Sequence, residues 1–209
     1  MSDASSLDEA LKSLERDLTG DRSSIAAQSG IPFAILRYAP AEEFRARRLL
    51  RLFAHSLEQQ HQRRAVFISL SGLVWHAIKM DAGVSSLFQI EKQRGFKTAE
   101  IKEVTPLIDD RERKNRPSAK HSLAKQIIAK IDGLGFVPDI VFLVRAGGLA
   151  PSIYSNSALL NDLQLRGYNT PTVLCFPGSS VIGSDLRYYD IPETSGLAYN
   201  YRVKIYGTQ

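Results

Sequence analysis

The chain has 209 residues, 44% of them hydrophobic and 23% charged, with a formal net charge of +5. That length fits one domain, about 100–200 residues being usual, and buries a core without staples, while the composition excludes a disordered or collagen-like chain. The single cysteine, Cys175, excludes an internal disulfide framework and weighs against a Cys-rich zinc site; no apolar run reaches the roughly 18 residues of a membrane span; the basic excess permits an anionic partner without establishing one.

The polar, acidic start from Met1 to Glu9 does not read as a secretory signal. Ser6 and Glu9 have the spacing of a capping box, and Leu7, Leu11, Leu14 and Leu18 recur as one apolar stripe, which predicts a helix ended by Gly20. Asp21 to Gly30 is polar and small, a loop or linker, so that residues 1–30 form an N-terminal helix and linker within a single domain spanning 1–209. Phe33-Ala34-Ile35-Leu36 after Pro32 predicts a buried strand. Pro40 suits a first helical turn, with Glu42 and Glu43 well placed against the helix dipole. That helix is expected to reach about Gln60, with Phe44, Leu49, Leu52, Phe53 and Leu57 facing inward and Arg45, Arg47, Arg48 and Arg51 outward.

Ala65 to Leu70 predicts a second strand, ended by Ser71-Gly72, and Leu73 to Met80 a helix. Val84 to Ile108 reads as helical with a break near Gly95. Asp109 to His121 is the most polar stretch, an exposed loop carrying Arg111, Arg113, Lys114, Arg116 and Lys120 into a helix expected from Ser118 to Asp132. Ile140 to Val144 is apolar on both faces, as a central parallel strand requires. Pro151 fits the start of the next helix, Thr172 to Phe176 is a strand, and Tyr201 to Tyr206 a last one, in which Val203 and Ile205 alternate with Arg202 and Lys204. Strands separated by helices predict an α/β domain with a mostly parallel, Rossmann-like sheet flanked by helices.

Ligands of such sheets usually sit at the carboxyl ends of the strands. Those ends carry Arg37, Ser69, Ser71, Arg145, Gly147, Gly148 and Gly178, where glycine admits a close approach and arginine offers a fork for phosphate or carboxylate. The plainer alternative is that the glycines make turns and the arginines pair with carbonyls or acids. No Walker A and no Gly-x-Gly-x-x-Gly motif occurs, and Phe67-Ile68-Ser69-Leu70-Ser71-Gly72 sits where a phosphate cradle would but lacks its lysine. His55, His61, His76 and His121 are scattered without metal-ligand spacing; Cys175 lies in an apolar strand; Asp109 and Asp110 lie in a charged loop. Neither catalysis nor a cofactor is therefore expected. Two basic clusters, Arg45, Arg48 and Arg51 and then Arg113, Lys114 and Arg116, are either solvated faces or docking surfaces for protein or nucleic acid. Tyrosines crowd the C-terminus, up to Tyr206, as an interface or as cover for the sheet edge.

Four segments in order carry a likeness: Pro32-Phe33-Ala34-Ile35-Leu36-Arg37-Tyr38 with Glu42-Glu43-Phe44; Val141-Phe142-Leu143-Val144-Arg145-Ala146-Gly147 with Ala150-Pro151; Pro171-Thr172-Val173-Leu174 with Phe176-Pro177-Gly178; and Asn200-Tyr201-Arg202-Val203-Lys204-Ile205-Tyr206. Together they resemble the BrxB family, small accessory proteins of bacterial type 1 BREX phage-defence systems. The likeness runs through nearly the whole chain, and its most specific parts are Leu-Val-Arg-Ala-Gly and Tyr-Arg-Val-Lys-Ile-Tyr. It implies a cytoplasmic, non-catalytic assembly component that bridges other BREX proteins, with PglZ the first expected partner and the BrxC ATPase or PglX methyltransferase further ones. It carries over no catalytic residue. Two alternatives stand beside it: a nucleic-acid-binding module using the arginines, with DNA as the partner, and a degenerate nucleotide-binding protein using Arg145, Gly147, Gly148 and Ser71.

Overall fold

A computed structural model of the chain describes residues 4–20, 25, 30–95, 99, 103–109, 119–149, 154–178, 186–190 and 203–207. Helix α1 (Ala4–Thr19) precedes strand β1 (Phe33–Tyr38). A 3-10 turn at Pro40–Glu42 leads into α2 (Glu43–His61), which returns to β2 (Ala65–Ser69). Between β2 and β3 (Ile140–Val144) lie α3 (Leu70–Ala77), a wide π turn (Ile78–Ala82), α4 (Val84–Arg94), α5 (Thr105–Ile108) and α6 (Leu123–Asp132). Helix α7 (Asn156–Leu165) connects β3 to β4 (Thr172–Pro177), and β5 (Lys204–Tyr206) is the last strand.

All five strands are parallel, in the order β2-β3-β4-β1-β5. Parallel neighbours need crossovers, and here the crossovers cover both faces. Helices α1 and α2 bury Leu7, Leu11, Leu14, Leu18, Ala46, Leu50, Phe53 and Leu57 against one face of the sheet. Helices α3, α6 and α7 bury Leu70, Leu73, Leu123, Ile127, Leu159 and Leu163 against the other. Period-two alternation divides β1, β3 and β4 between the two cores: in β3, Ile140 and Phe142 join the first, Val141 and Leu143 the second. The expected α/β class and parallel sheet are thus present. Among the described residues no helix is long and apolar enough to cross a membrane.

Several local expectations give way. Helix α1 starts at Ala4, so Ser6 lies inside it and is not its cap. Ile25, which falls within the stretch that reads from its polarity as a plain linker, is buried in the α1–α2 core. On α2, Phe44 and Leu52 are 82% and 61% exposed, and Ala46 and Leu50 take the inward places. Phe53 and Leu57 face inward as expected, and Ala46 and Leu50 continue their stripe at helical spacing. β2 stops at Ser69, and Ser71 and Gly72 form the first turn of α3 instead of a loop, because the Ser69 hydroxyl accepts the Gly72 N–H at 3.2 Å. Serine caps also set the starts of α6 and α7. Ser122 accepts the Lys125 N–H, so α6 starts at Leu123 and not Ser118; Ser155 accepts the Ala158 N–H, so α7 starts at Asn156, and Pro151 lies outside the described residues. In β5, Tyr206 is buried and Ile205 is exposed, the reverse of the expected alternation, because the Lys204 ammonium and the Tyr206 hydroxyl both donate to Asp17 of α1.

Cys175 is fully buried in β4, where burial, and after it the charge of Glu43, pushes its thiol well above the usual range. A thiol reagent is expected to leave Cys175 unmodified in the native protein and to label it completely in concentrated guanidinium. Ready labelling of the folded chain would contradict this placement.

Candidate functional site

Because every strand runs the same way, all carboxyl ends meet at one edge of the sheet. That edge gathers Arg37, Ser71, Arg145, Gly147, Gly148, Gly178 and Tyr206; Arg202 lies outside the described residues. Neighbouring β1 and β4 send their connections to opposite faces, α2 to one and the Leu186–Tyr188 stretch to the other. The crevice between them is the topological switch point, where open α/β sheets ordinarily bind ligands.

Here the chain fills that crevice itself. A Cβ on Gly178 would lie 1.8 Å from the Arg187 carbonyl oxygen, and one on Gly147 would lie 1.9 Å from the Tyr189 hydroxyl. Tyr188 is buried with its ring 4.6 Å from that of Phe176. A Cβ on Gly148 would lie 2.4 Å from the Ser71 Cβ, so this glycine joins the β3 turn to the start of α3. The three glycines do admit a close approach, and the group that approaches each is a residue of the same chain. Arg37 is buried and donates to the Gly207 carbonyl at 3.0 Å, which fastens the end of β5 to β1.

Burial raises the phenols of Tyr38, Tyr168, Tyr188 and Tyr206 above their ordinary value; Glu43 adds to the shift at Tyr38, and Asp17 at Tyr206. A raised native value means that the folded chain holds these protons more tightly than the unfolded one. The stability contributed is complete below the usual tyrosine value of about 10 and is lost as pH rises above it, with Cys175 adding the same effect from about 8.5. Chemical denaturation at stepped pH should therefore show midpoints falling above about pH 9. Midpoints that hold level far into the alkaline range would refute it.

The carboxyl edge has a second, open recess on the α2 face. Arg47, Leu50 and Arg51 of α2, Phe67 and Ser69 of β2, Val144 of β3 and Arg145 line a cleft of about 410 Å³. β2 is an edge strand, so Phe67 is only partly covered: it stacks on buried Phe142 at 5.2 Å and is 40% exposed. Arg145 follows β3 with φ 58, a left-handed conformation that costs a non-glycine residue about 1 kcal/mol. Among the described residues, Arg47, Arg51 and Arg145 make no ion pair with a carboxylate. Arg45, by contrast, is held by Asp8 at 2.7 Å and Glu42 at 2.6 Å, and Arg48 is exposed on the outer side of α2. Arg113, Lys114 and Arg116 lie outside the described residues, as does Asp110.

Arg51 and Arg145 belong to two different groups in the sequence reading, and the fold brings them together. Arg47 stands in the sequence as one of the outward arginines of α2, and Phe67 as part of the segment at the phosphate-cradle position. The usable signal was the i, i+4 spacing of Arg47 and Arg51; nothing local marked β2 as an edge strand that leaves Phe67 in the open. Two of the histidines come together: the His121 ring lies edge-on to His76 at 6.4 Å and 3.5 Å from Asp81, whereas His61 lies 3.7 Å from Glu15 and His55 is exposed. Among the described residues no group of three His, Cys, Asp or Glu side chains could hold a metal.

A family model described as BREX protein BrxB matches residues 66–205. No curated protein and no solved structure matches the chain.

Proposed function

The chain belongs to the BrxB family, which gives it a role in BREX phage defence, and from that premise we propose that it is a non-catalytic, cytoplasmic assembly component that docks onto other BREX proteins, PglZ first among them. One observation carries the docking: Phe44, Arg48 and Leu52 follow one another at four-residue spacing along the outer side of α2, with Phe44 82% and Leu52 61% exposed. Residues four apart share a helix face, so the three make one row. Burying a Phe or Leu side chain contributes about 1.5–3 kcal/mol, and aromatic residues with arginine are enriched at interface centres. The filled crevice supports the same reading, since the usual ligand position of the fold is occupied by Arg187–Tyr189.

Co-expression with each BREX protein and capture on a tag tests this. The wild-type chain is expected to retain PglZ. Phe44→Asp with Leu52→Asp is expected to weaken retention by at least about tenfold, roughly the loss of one buried anchor, with the melting temperature unchanged because neither side chain packs in the core. Capture of BrxC or PglX in place of PglZ would move the partner assignment, and failure of the wild-type chain to hold any BREX protein would overturn the proposal.

A further inference from the structure

We propose that the arginine cleft between α2 and the ends of β2 and β3 binds a nucleotide, its phosphate held by Arg47, Arg51 and Arg145 and its base laid on Phe67. Three arginines line the cleft from two different elements, α2 and the turn after β3, and no carboxylate lines it. Among the described residues none of the three has an acidic partner to neutralise it. Arginines gathered at one recess with no carboxylate in its lining favour an anion, and the planar fork of each fits phosphate oxygens two at a time. Ser69, which caps α3 by accepting the Gly72 N–H, adds a hydroxyl at the same wall.

Phosphate alone would not require the apolar floor. One face of Phe67 stacks on Phe142, with the rings 20° from parallel, and its exposed surface is shared between this cleft and a recess toward α3 and α6. A planar base stacked there would extend an existing aromatic pile, the way single nucleic-acid bases are held without sequence readout. The volume of about 410 Å³ lies within the range of small-ligand sites, about 300–1,000 Å³, and suits one nucleotide. The nucleotide could be free or one unit of a single strand; the chemistry of recognition is shared. Arg145 adds a further observation: the chain keeps an arginine where its φ of 58 favours glycine, and what the arginine supplies that glycine would not is a cation over the cleft.

Fluorescence anisotropy of a short labelled single-stranded oligonucleotide, and calorimetry with AMP, both on the full chain at low salt, test the proposal. Binding is expected, weakening as salt rises. Arg47→Glu and Arg51→Glu should each lower affinity by about tenfold or more, while Lys92→Glu, the same charge change on exposed α4, should lower it by less than about threefold. Arg145→Gly should keep the melting temperature within about 3 °C, since relief of the left-handed backbone offsets the added unfolded-state freedom, yet bind as poorly as Arg51→Glu. Displacement of the strand by excess AMP assigns the free nucleotide; a strand that AMP does not displace assigns a strand unit. Absence of binding to both probes, or an equal loss in Lys92→Glu and Arg51→Glu, would overturn the proposal. It is independent of the docking row, whose Phe44 and Leu52 variants should leave nucleotide affinity unchanged.

Discussion

Gly178→Ala is expected to destabilise the protein by about 3 kcal/mol, the upper end of overpacking costs, and so to lower the melting temperature by roughly 6–12 °C in a chain of this size. The added methyl group would sit 1.8 Å from the Arg187 carbonyl oxygen and 2.8 Å from Cε1 of Phe176. The first of these is a backbone atom, so no rotamer change relieves the clash. Residue 178 cannot retreat freely either, because its N–H donates to the Tyr38 carbonyl at 3.0 Å across the switch point. What can move is the Arg187–Tyr189 segment, and moving it lifts Tyr188 off Phe176 and Tyr189 off Gly147. Guanidinium denaturation of the two proteins is the measurement. A loss under about 1 kcal/mol, within the range of an ordinary surface change, would mean that the segment does not hold the crevice shut.

The same glycine shows where sequence reading reaches and where it ends. Its place after an apolar strand marks it as a carboxyl-edge residue. Whether the space beside it serves a ligand or the chain depends on Arg187–Tyr189, and no spacing rule connects residues 178 and 187. The parallel sheet was legible because β1, β3 and β4 are apolar on both faces, a pattern that only central, doubly covered strands satisfy. Strand order was not, since order follows from which helix covers which face. With the order β2-β3-β4-β1-β5, β2 becomes an edge and Phe67 surfaces beside α2. The full inward stripe of α2 was hidden for a related reason. Phe44 and Leu52 satisfy the helical period as well as Ala46 and Leu50 do, and only contact with the sheet selects between the two stripes. Arg45, Arg48 and Arg51 looked alike in sequence; acidic neighbours on α1 and in the preceding turn make Arg45 a structural link and leave Arg51 to the cleft.

Phe142→Ala is expected to have the largest effect of any single change in the α1–α2 core, about 3–5 kcal/mol. Phe142 is wholly buried in central β3, with the Phe53 ring edge-on at 6.1 Å and the Phe67 ring stacked at 5.2 Å. Truncation removes the transfer energy of the ring, opens a cavity between α2 and the sheet, and takes away two aromatic contacts worth about 0.5–1.5 kcal/mol each beyond burial. Typical domains have only about 5–15 kcal/mol in hand, so the variant should stand near the limit of folding. Phe142→Leu keeps most of the volume, costs less, and lets a second consequence be read on a folded protein. Phe67 stacks on buried Phe142, so without that ring it should lose its fixed orientation in the cleft. Nucleotide affinity in Phe142→Leu is then expected to fall although residue 142 does not line the cleft, and Phe67→Leu should add little to a loss already taken. If instead the two changes lower affinity independently, so that their effects add, Phe67 does not depend on Phe142 for its position. The stability of the core and the floor of the cleft would then be separate properties of β3 and β2.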